Sequence, residues 1–103
     1  MVYEMRVYTL QPGKVPEFQA LIEKEALPII NKYSKLVGWW STEVGPLNEV
    51  VHIWAYEDLA HRTRAREAQG ADPQLQAFRP KAQAMIVSQY NKILTPASFS
   101  PLK

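Results

Sequence analysis

Apolar and polar side chains alternate from Val2 to Leu10, and the run stops at Gln11-Pro12-Gly13. Alternation with β-branched and aromatic residues is a strand pattern, and Pro-Gly is a turn signal. One face carries Tyr3, Met5, Val7 and Thr9; the other carries Glu4, Arg6, Tyr8 and Leu10. From Lys14 to Tyr33 the apolar spacing changes to three and four. Val15, Phe18, Ile22, Ala26, Ile29 and Tyr33 then share one face of an amphipathic helix. Pro28 lies inside it. Its ring clashes with the carbonyl of Lys24 and it has no N–H to offer, so a kink or break is expected there.

Alternation returns at Lys35–Val44 and at Glu49–Tyr56, two strands joined by the turn Gly45-Pro46-Leu47-Asn48. In the second strand Val51, Ile53 and Ala55 share one face, and His52, Trp54 and Tyr56 the other. Another helix is predicted from Leu59 to Gln69, capped by Asp58 and ended by Gly70. Asp72-Pro73 restarts a short helix that Pro80 ends or kinks. Ala84 to Leu94 is the last strand, with Met85, Val87 and Ile93 on one face. Thr95–Lys103 holds Pro96 and Pro101 and is expected to be extended. The reading is one domain over residues 1–95 and a C-terminal tail over 96–103.

The order β-α-β-β-α-β predicts an α+β ferredoxin-like fold, a four-stranded antiparallel sheet with two helices on one face. The first and third strands should be central neighbours. Met5 and Val7, with Val51, Ile53 and Ala55, are expected to face the helices. The opposite face then gathers Glu4, Arg6 and Tyr8 with His52, Trp54 and Tyr56. A soluble monomer rarely leaves so broad an aromatic face in water. The same face of a second copy would cover it, giving a homodimer with a barrel-like core. A gap between the two sheets would be a ligand pocket lined by aromatic and polar groups.

Composition narrows the chemistry. The chain has 103 residues, 47% hydrophobic and 21% charged, which fits one ordinary globular domain. It has no cysteine, so disulfides, thiolate metal sites and cysteine nucleophiles are excluded. No apolar run is long enough to cross a bilayer or to act as a signal peptide. No membrane partner and a cytoplasmic location are therefore the expectation. The net charge of +2 is too small to argue for nucleic acid. Phosphate loops, metal-spaced His/Asp/Glu clusters and hydrolase triads are all missing, so no cofactor and no metal are expected.

His52 is the candidate catalytic residue, a proton donor or acceptor among aromatics. Its alternatives are a hydrogen bond across the dimer interface and ligation of a haem, which would need a roomy pocket. Arg6 could clamp a carboxylate, or pair with Glu4 between the sheets. Tyr8, Trp54 and Tyr56 could stack on a flat ligand, or fill the dimer core. Arg62 and Arg66, with Arg64 pointing elsewhere, read as a solvated or salt-bridged helix near Glu67 and Asp58, and His61 as a surface residue. Thr42–Asn48 is a hairpin turn or a binding loop.

Three function classes follow. The first is a small-molecule binder or enzyme holding an apolar or aromatic compound against Glu4, Arg6, Tyr8, His52, Trp54 and Tyr56. Cofactor-independent oxygenation or isomerisation would be its natural chemistry. The second is a scaffold protein without chemistry. The third is RNA binding, because RNA-recognition domains share the element order and carry aromatics on strands one and three. The Lys/Arg-Gly-aromatic signature of those domains is missing, which leaves nucleic acid outside the expected partners.

The opening Tyr3-Glu4-Met5-Arg6-x-Tyr8-Thr9-Leu10-x-Pro12-Gly13-Lys14 resembles the start of NIPSNAP domains. Gly38-Trp39-Trp40-Ser41-Thr42-Glu43-Val44-Gly45-Pro46-Leu47-Asn48, Val51-His52-Ile53-Trp54-x-Tyr56, Asp58-Leu59-x-x-Arg62-x-x-x-Arg66 and Lys92-Ile93-Leu94-x-Pro96 are similar to later parts of that family. The resemblance spans nearly the whole chain. It departs at Leu75, where the family usually has Trp two positions after Asp-Pro; that change could loosen packing or open a pocket near the second helix. The resemblance implies a dimeric α+β barrel. Barrel relatives include cofactor-free monooxygenases, lactone isomerases and haem enzymes, so it implies no single chemistry.

Overall fold

A computed structural model describes residues 1–103. Strand β1 (Val2–Leu10) leads into a helix in three parts: α1 (Val15–Leu21), a π-helical segment (Ile22–Ala26) and α2 (Leu27–Ile30). Strands β2 (Lys35–Ser41) and β3 (Glu49–Tyr56) form the hairpin. Helices α3 (Leu59–Ala71) and α4 (Pro73–Gln83) precede the last strand, β4 (Ile86–Leu94). All pairings are antiparallel, in the order β2-β3-β1-β4, so the first and third strands are the central pair, as the element order predicts.

The prolines bend the expected boundaries. Pro28 does not break its helix. The preceding turn widens instead, and the Leu27 N–H bonds to the carbonyl of Ile22, five residues back. This π-turn takes up the strain that Pro28 would place on a regular helix. Pro80 sits inside α4, which continues to Gln83. Gly70 does not end α3; the helix runs to Ala71, and Asp72 then caps α4 by accepting from the N–H groups of Gln74 and Leu75. Asp58 caps α3 through the N–H of His61 at 2.7 Å. Strand β2 stops at Ser41 rather than Val44, and β4 starts at Ile86 rather than Ala84.

The expected facing of the sheet is reversed. Glu4, Arg6, Tyr8 and Leu10 of β1 point toward the helices, as do Val50, His52, Trp54 and Tyr56 of β3. Glu4 reaches Arg62 on α3, Tyr8 lies edge-on to Phe18 on α1, and Leu10 and Val50 join Phe18, Ile22, Leu75 and Phe78 in the main core. Leu75, the departure from the family pattern, is buried in that core. The aliphatic set Met5, Val7, Val51, Ile53 and Ala55 lies on the open side. There it is continuous with Trp40 of β2, paired opposite Val51, and Tyr90 of β4, paired opposite Val7. Trp40 and Tyr90 are 52% and 57% exposed, so the open face is aromatic at its flanks. Trp40 lies flat across Gly38, where any Cβ would collide with the indole.

Candidate functional site

The inward faces of β1 and β3 meet five helical segments, and they do not close completely. A cavity of about 260 Å³ remains between sheet and helices, within one chain. The expected pocket between two sheets is thereby corrected: the polar and aromatic residues line a space under the helices. Glu4, Arg6, Tyr8, His52, Trp54 and Tyr56 all border it, so the six residues singled out in the sequence are brought together. Trp39, Phe18 and Phe78 add apolar walls. Exposed Arg66, Arg79, Gln83 and Gln89 form its mouth.

Glu4 is fully buried. Its carboxylate accepts from Arg62 twice (Nε to Oε1 at 3.0 Å, Nη2 to Oε2 at 2.8 Å), from Arg6 Nη1 at 2.9 Å and from Asn91 Nδ2 at 2.6 Å. The Arg62 fork is the bidentate geometry that suits carboxylate best. Burial alone would raise the Glu4 pKa. Hydrogen bonds from Arg62 and Asn91, with the charges of Arg6 and Arg62, outweigh it and bring the pKa down to about 2. Glu4 is thus an anion with its acceptor capacity committed. Arg62 is salt-bridged, one of the two states expected of it, but its partner is Glu4 across on the sheet rather than the nearby Glu67 or Asp58.

Arg6 gives its Nε–H to the Tyr8 hydroxyl at 2.9 Å and one Nη1–H to Glu4. A guanidinium has five N–H donors, so three are left. Burial would lower its pKa, but Tyr8 and Glu4 hold it above the usual arginine value.

His52 is 3% exposed and stacks on Trp39, with ring centres 4.1 Å apart. Trp54 Nε1–H donates to His52 Nδ1 at 2.7 Å. An indole N–H can only donate, so Nδ1 is the acceptor and the neutral ring carries its proton on Nε2. That Nε2 is buried without a partner, and so is Trp39 Nε1. Burial lowers the His52 pKa, the nearby Arg6 charge lowers it further, and Glu4 only partly offsets them, leaving it at about 3. The ring is therefore neutral at pH 7. Tyr56 shares a hydrogen bond with Ser34 at 3.1 Å, and Gln69 Nε2 donates to the same Ser34 hydroxyl at 2.7 Å. No three metal-ligating side chains converge anywhere in the chain. No helix is long and apolar enough to cross a membrane.

The sequence pattern of the NIPSNAP family, meanwhile, matches residues 3–101. The chain belongs to the NIPSNAP family. A NIPSNAP domain protein from Burkholderia xenovorans, described as uncharacterized, superposes with a TM-score of 0.95 at 46% identity, covering 98% of this chain and 99% of that one. Human NipSnap homolog 3A is 45% identical over 75 residues, which is 72% of this chain and 30% of the human protein. The chain thus spans under a third of that relative's length. Outside the NIPSNAP proteins, SnoaB from Streptomyces nogalater, a cofactor-independent oxygenase, has the same fold. Its TM-score is 0.69 at 18% identity, over 97% of this chain and 96% of that one.

Within this NIPSNAP domain, sequence reasoning missed Trp39, Arg62, Arg66 and Arg79 as residues of the site. The hairpin register places Trp39 opposite His52, so an exact register would have found it. The four-residue spacing of Arg62 and Arg66 put them on one helix face, but nothing local said that this face looked at the sheet. The Thr42–Asn48 turn is not part of the cavity. Its Asn48 carbonyl accepts from Leu10 N–H and its Oδ1 from Gly13 N–H, so it ties the hairpin to the end of β1. Tyr8, Trp54 and Tyr56 face the helices, so they do not form the open stacking platform on which the RNA reading rested.

Proposed function

We propose that this NIPSNAP protein is a homodimer that binds a small, flat, largely apolar molecule in the cavity beneath its helices. The observation that carries the reading is a pair of buried N–H groups, His52 Nε2 and Trp39 Nε1, with no partner in the chain. Buried donors are nearly always satisfied, and these two sit on rings that border the cavity, so a ligand that shifts the rings slightly could reach them. The aromatic walls suit a planar body. In this role His52 is a hydrogen-bond donor and a positioning residue. It would not accept a proton, because Nδ1 is engaged and Nε2 is already protonated. Glu4 is likewise committed. Binding is therefore supported better than proton abstraction. Cofactor-independent oxygenation is the second reading, favoured by the fold shared with SnoaB. It would need a substrate that enters already ionised at carbon or oxygen.

Calorimetric titration with three naphthalene-sized compounds tests the binding reading: 1-naphthoate, 1-naphthalenemethanol and 1-naphthylmethylammonium. At least one should bind, and Ala82→Phe should abolish that binding. Ala82 is buried at the cavity wall, and the added ring fills the space at a stability cost of about 1–3 kcal/mol. No heat from any of the three would reject the reading.

The dimer rests on the open sheet face. Val51 and Ile53 are half-buried there, with Trp40 and Tyr90 largely exposed on either side. Such a continuous apolar face is self-complementary under a two-fold axis. Native mass spectrometry should give a dimer for the natural chain and a monomer for Trp40→Glu, because a charge buried within a packed sheet interface is left unpaired. A monomeric natural chain would refute the interface.

A further inference from the structure

Given the ligand-binding reading above, on which it rests, we infer that the cavity selects an organic oxyanion: a carboxylate, enolate or phenolate on a flat apolar body. Only one carboxylate borders the cavity, Glu4, and it already accepts four hydrogen bonds from Arg62, Arg6 and Asn91. Three guanidinium groups border it, those of Arg6, Arg66 and Arg79, and neither Arg66 nor Arg79 has a carboxylate partner. The unpaired buried atoms, His52 Nε2–H and Trp39 Nε1–H, are both donors. The inner wall therefore has donors and positive charge to spare, and its one strong acceptor is saturated.

These donors belong to one cluster. His52 is stacked on Trp39 at 4.1 Å, Tyr8 lies edge-on to His52 at 4.8 Å, and the Arg6 guanidinium carbon is 5.6 Å from the Tyr8 ring centre. A ligand oxygen placed against this cluster meets the unused Arg6 N–H groups away from bulk water, and reaches the occluded His52 and Trp39 N–H groups through a small shift of the stacked rings. Hydrogen bonds to a charged acceptor are about twice as strong as neutral ones in such a setting. A ligand cation would meet the arginines, with the one carboxylate already committed and only neutral hydroxyl and amide oxygens, the latter those of Gln69, Gln83 and Gln89, left to accept its protons. Arg66 and Arg79 at the mouth add an attraction for anions that salt would screen.

The three-compound titration separates this inference from the reading beneath it. The expected order is 1-naphthoate first, at least about tenfold tighter than 1-naphthalenemethanol, with 1-naphthylmethylammonium weakest. Trp39→Phe keeps the ring on His52 and removes its N–H. It should weaken 1-naphthoate about tenfold and change 1-naphthalenemethanol less. The exposed pair Arg66→Gln/Arg79→Gln provides a second test without disturbing the core, and should weaken 1-naphthoate and reduce the salt dependence of its binding. Equal binding of all three compounds, or tighter binding of the alcohol or amine, overturns the anion assignment and leaves the cavity reading standing. Silence from all three overturns both.

Discussion

Glu4→Ala should lower the free energy of unfolding by about 3–5 kcal/mol, the loss expected when one partner of a buried ion pair is removed. The reason is the charge left behind. Glu4 is fully buried and accepts from Arg62, Arg6 and Asn91. Without it, two guanidinium groups and an amide lose their acceptor while the fold still holds them against the sheet. Burying unpaired donors is costly, and burying unpaired charge more so. Glu4→Gln keeps the size and one carbonyl oxygen, so its loss should be smaller but still more than about 1 kcal/mol. Urea unfolding at pH 7 reads both, as a lower midpoint with an unchanged slope. The double variant Glu4→Met/Arg62→Met should recover part of the loss, because a buried pair replaced by apolar residues costs much less than a broken pair. A single Glu4→Ala loss below about 1 kcal/mol would mean that the network contributes little to stability.

The same network explains what the sequence could and could not disclose. The element order was legible: the change from two-residue to three- and four-residue apolar spacing, and back, marks each strand and helix. So was the central pairing of β1 with β3. The membership of the site was legible too, because a strand keeps its alternate residues together on one face. Glu4, Arg6 and Tyr8 had to travel with one another, and His52, Trp54 and Tyr56 likewise. Which face met the helices was not legible. Both faces of β1 and β3 carry large side chains, and alternation states the grouping but not its direction. Hydrophobic ranking favoured Met5, Val7, Val51 and Ile53 as core. The fold instead buries the polar set and satisfies it with partners far along the chain: Arg62 lies 58 positions from Glu4 and Asn91 lies 87. No local pattern announces such a pairing. Pro28 marks a disturbance in the helix, but its resolution by a π-turn depends on α1 and α2 packing as one helix against the same sheet.

Stability should fall by about 2–3 kcal/mol between pH 7 and pH 4.5, with His52 as the source. The direction follows from the two states. In the folded chain burial and the Arg6 charge hold the His52 pKa at about 3, well below the ordinary value of 6.5. Between those pH values the unfolded chain takes up a proton that the folded chain refuses. Stability is therefore fully present above about pH 6.5. It is lost at about 1.4 kcal/mol per pH unit as the pH falls toward 3. Glu4 acts in the same sense but later. Its pKa, about 2 when folded against 4.5 ordinarily, makes its contribution present above about 4.5 and lost as the pH falls toward 2. The upper part of the profile consequently isolates His52, and the slope should steepen below pH 4.5. Urea unfolding at pH 7, 5.5 and 4.5, at one protein concentration so that any dimer equilibrium is held fixed, measures it. His52→Gln is the control, since its side-chain oxygen can still accept from Trp54 and it does not titrate. The slope between pH 7 and 4.5 should flatten in that variant. If the full slope survives there, the proton belongs to another group, and the neutral, Nε2–H-donating imidazole on which the ligand reading depends loses its support.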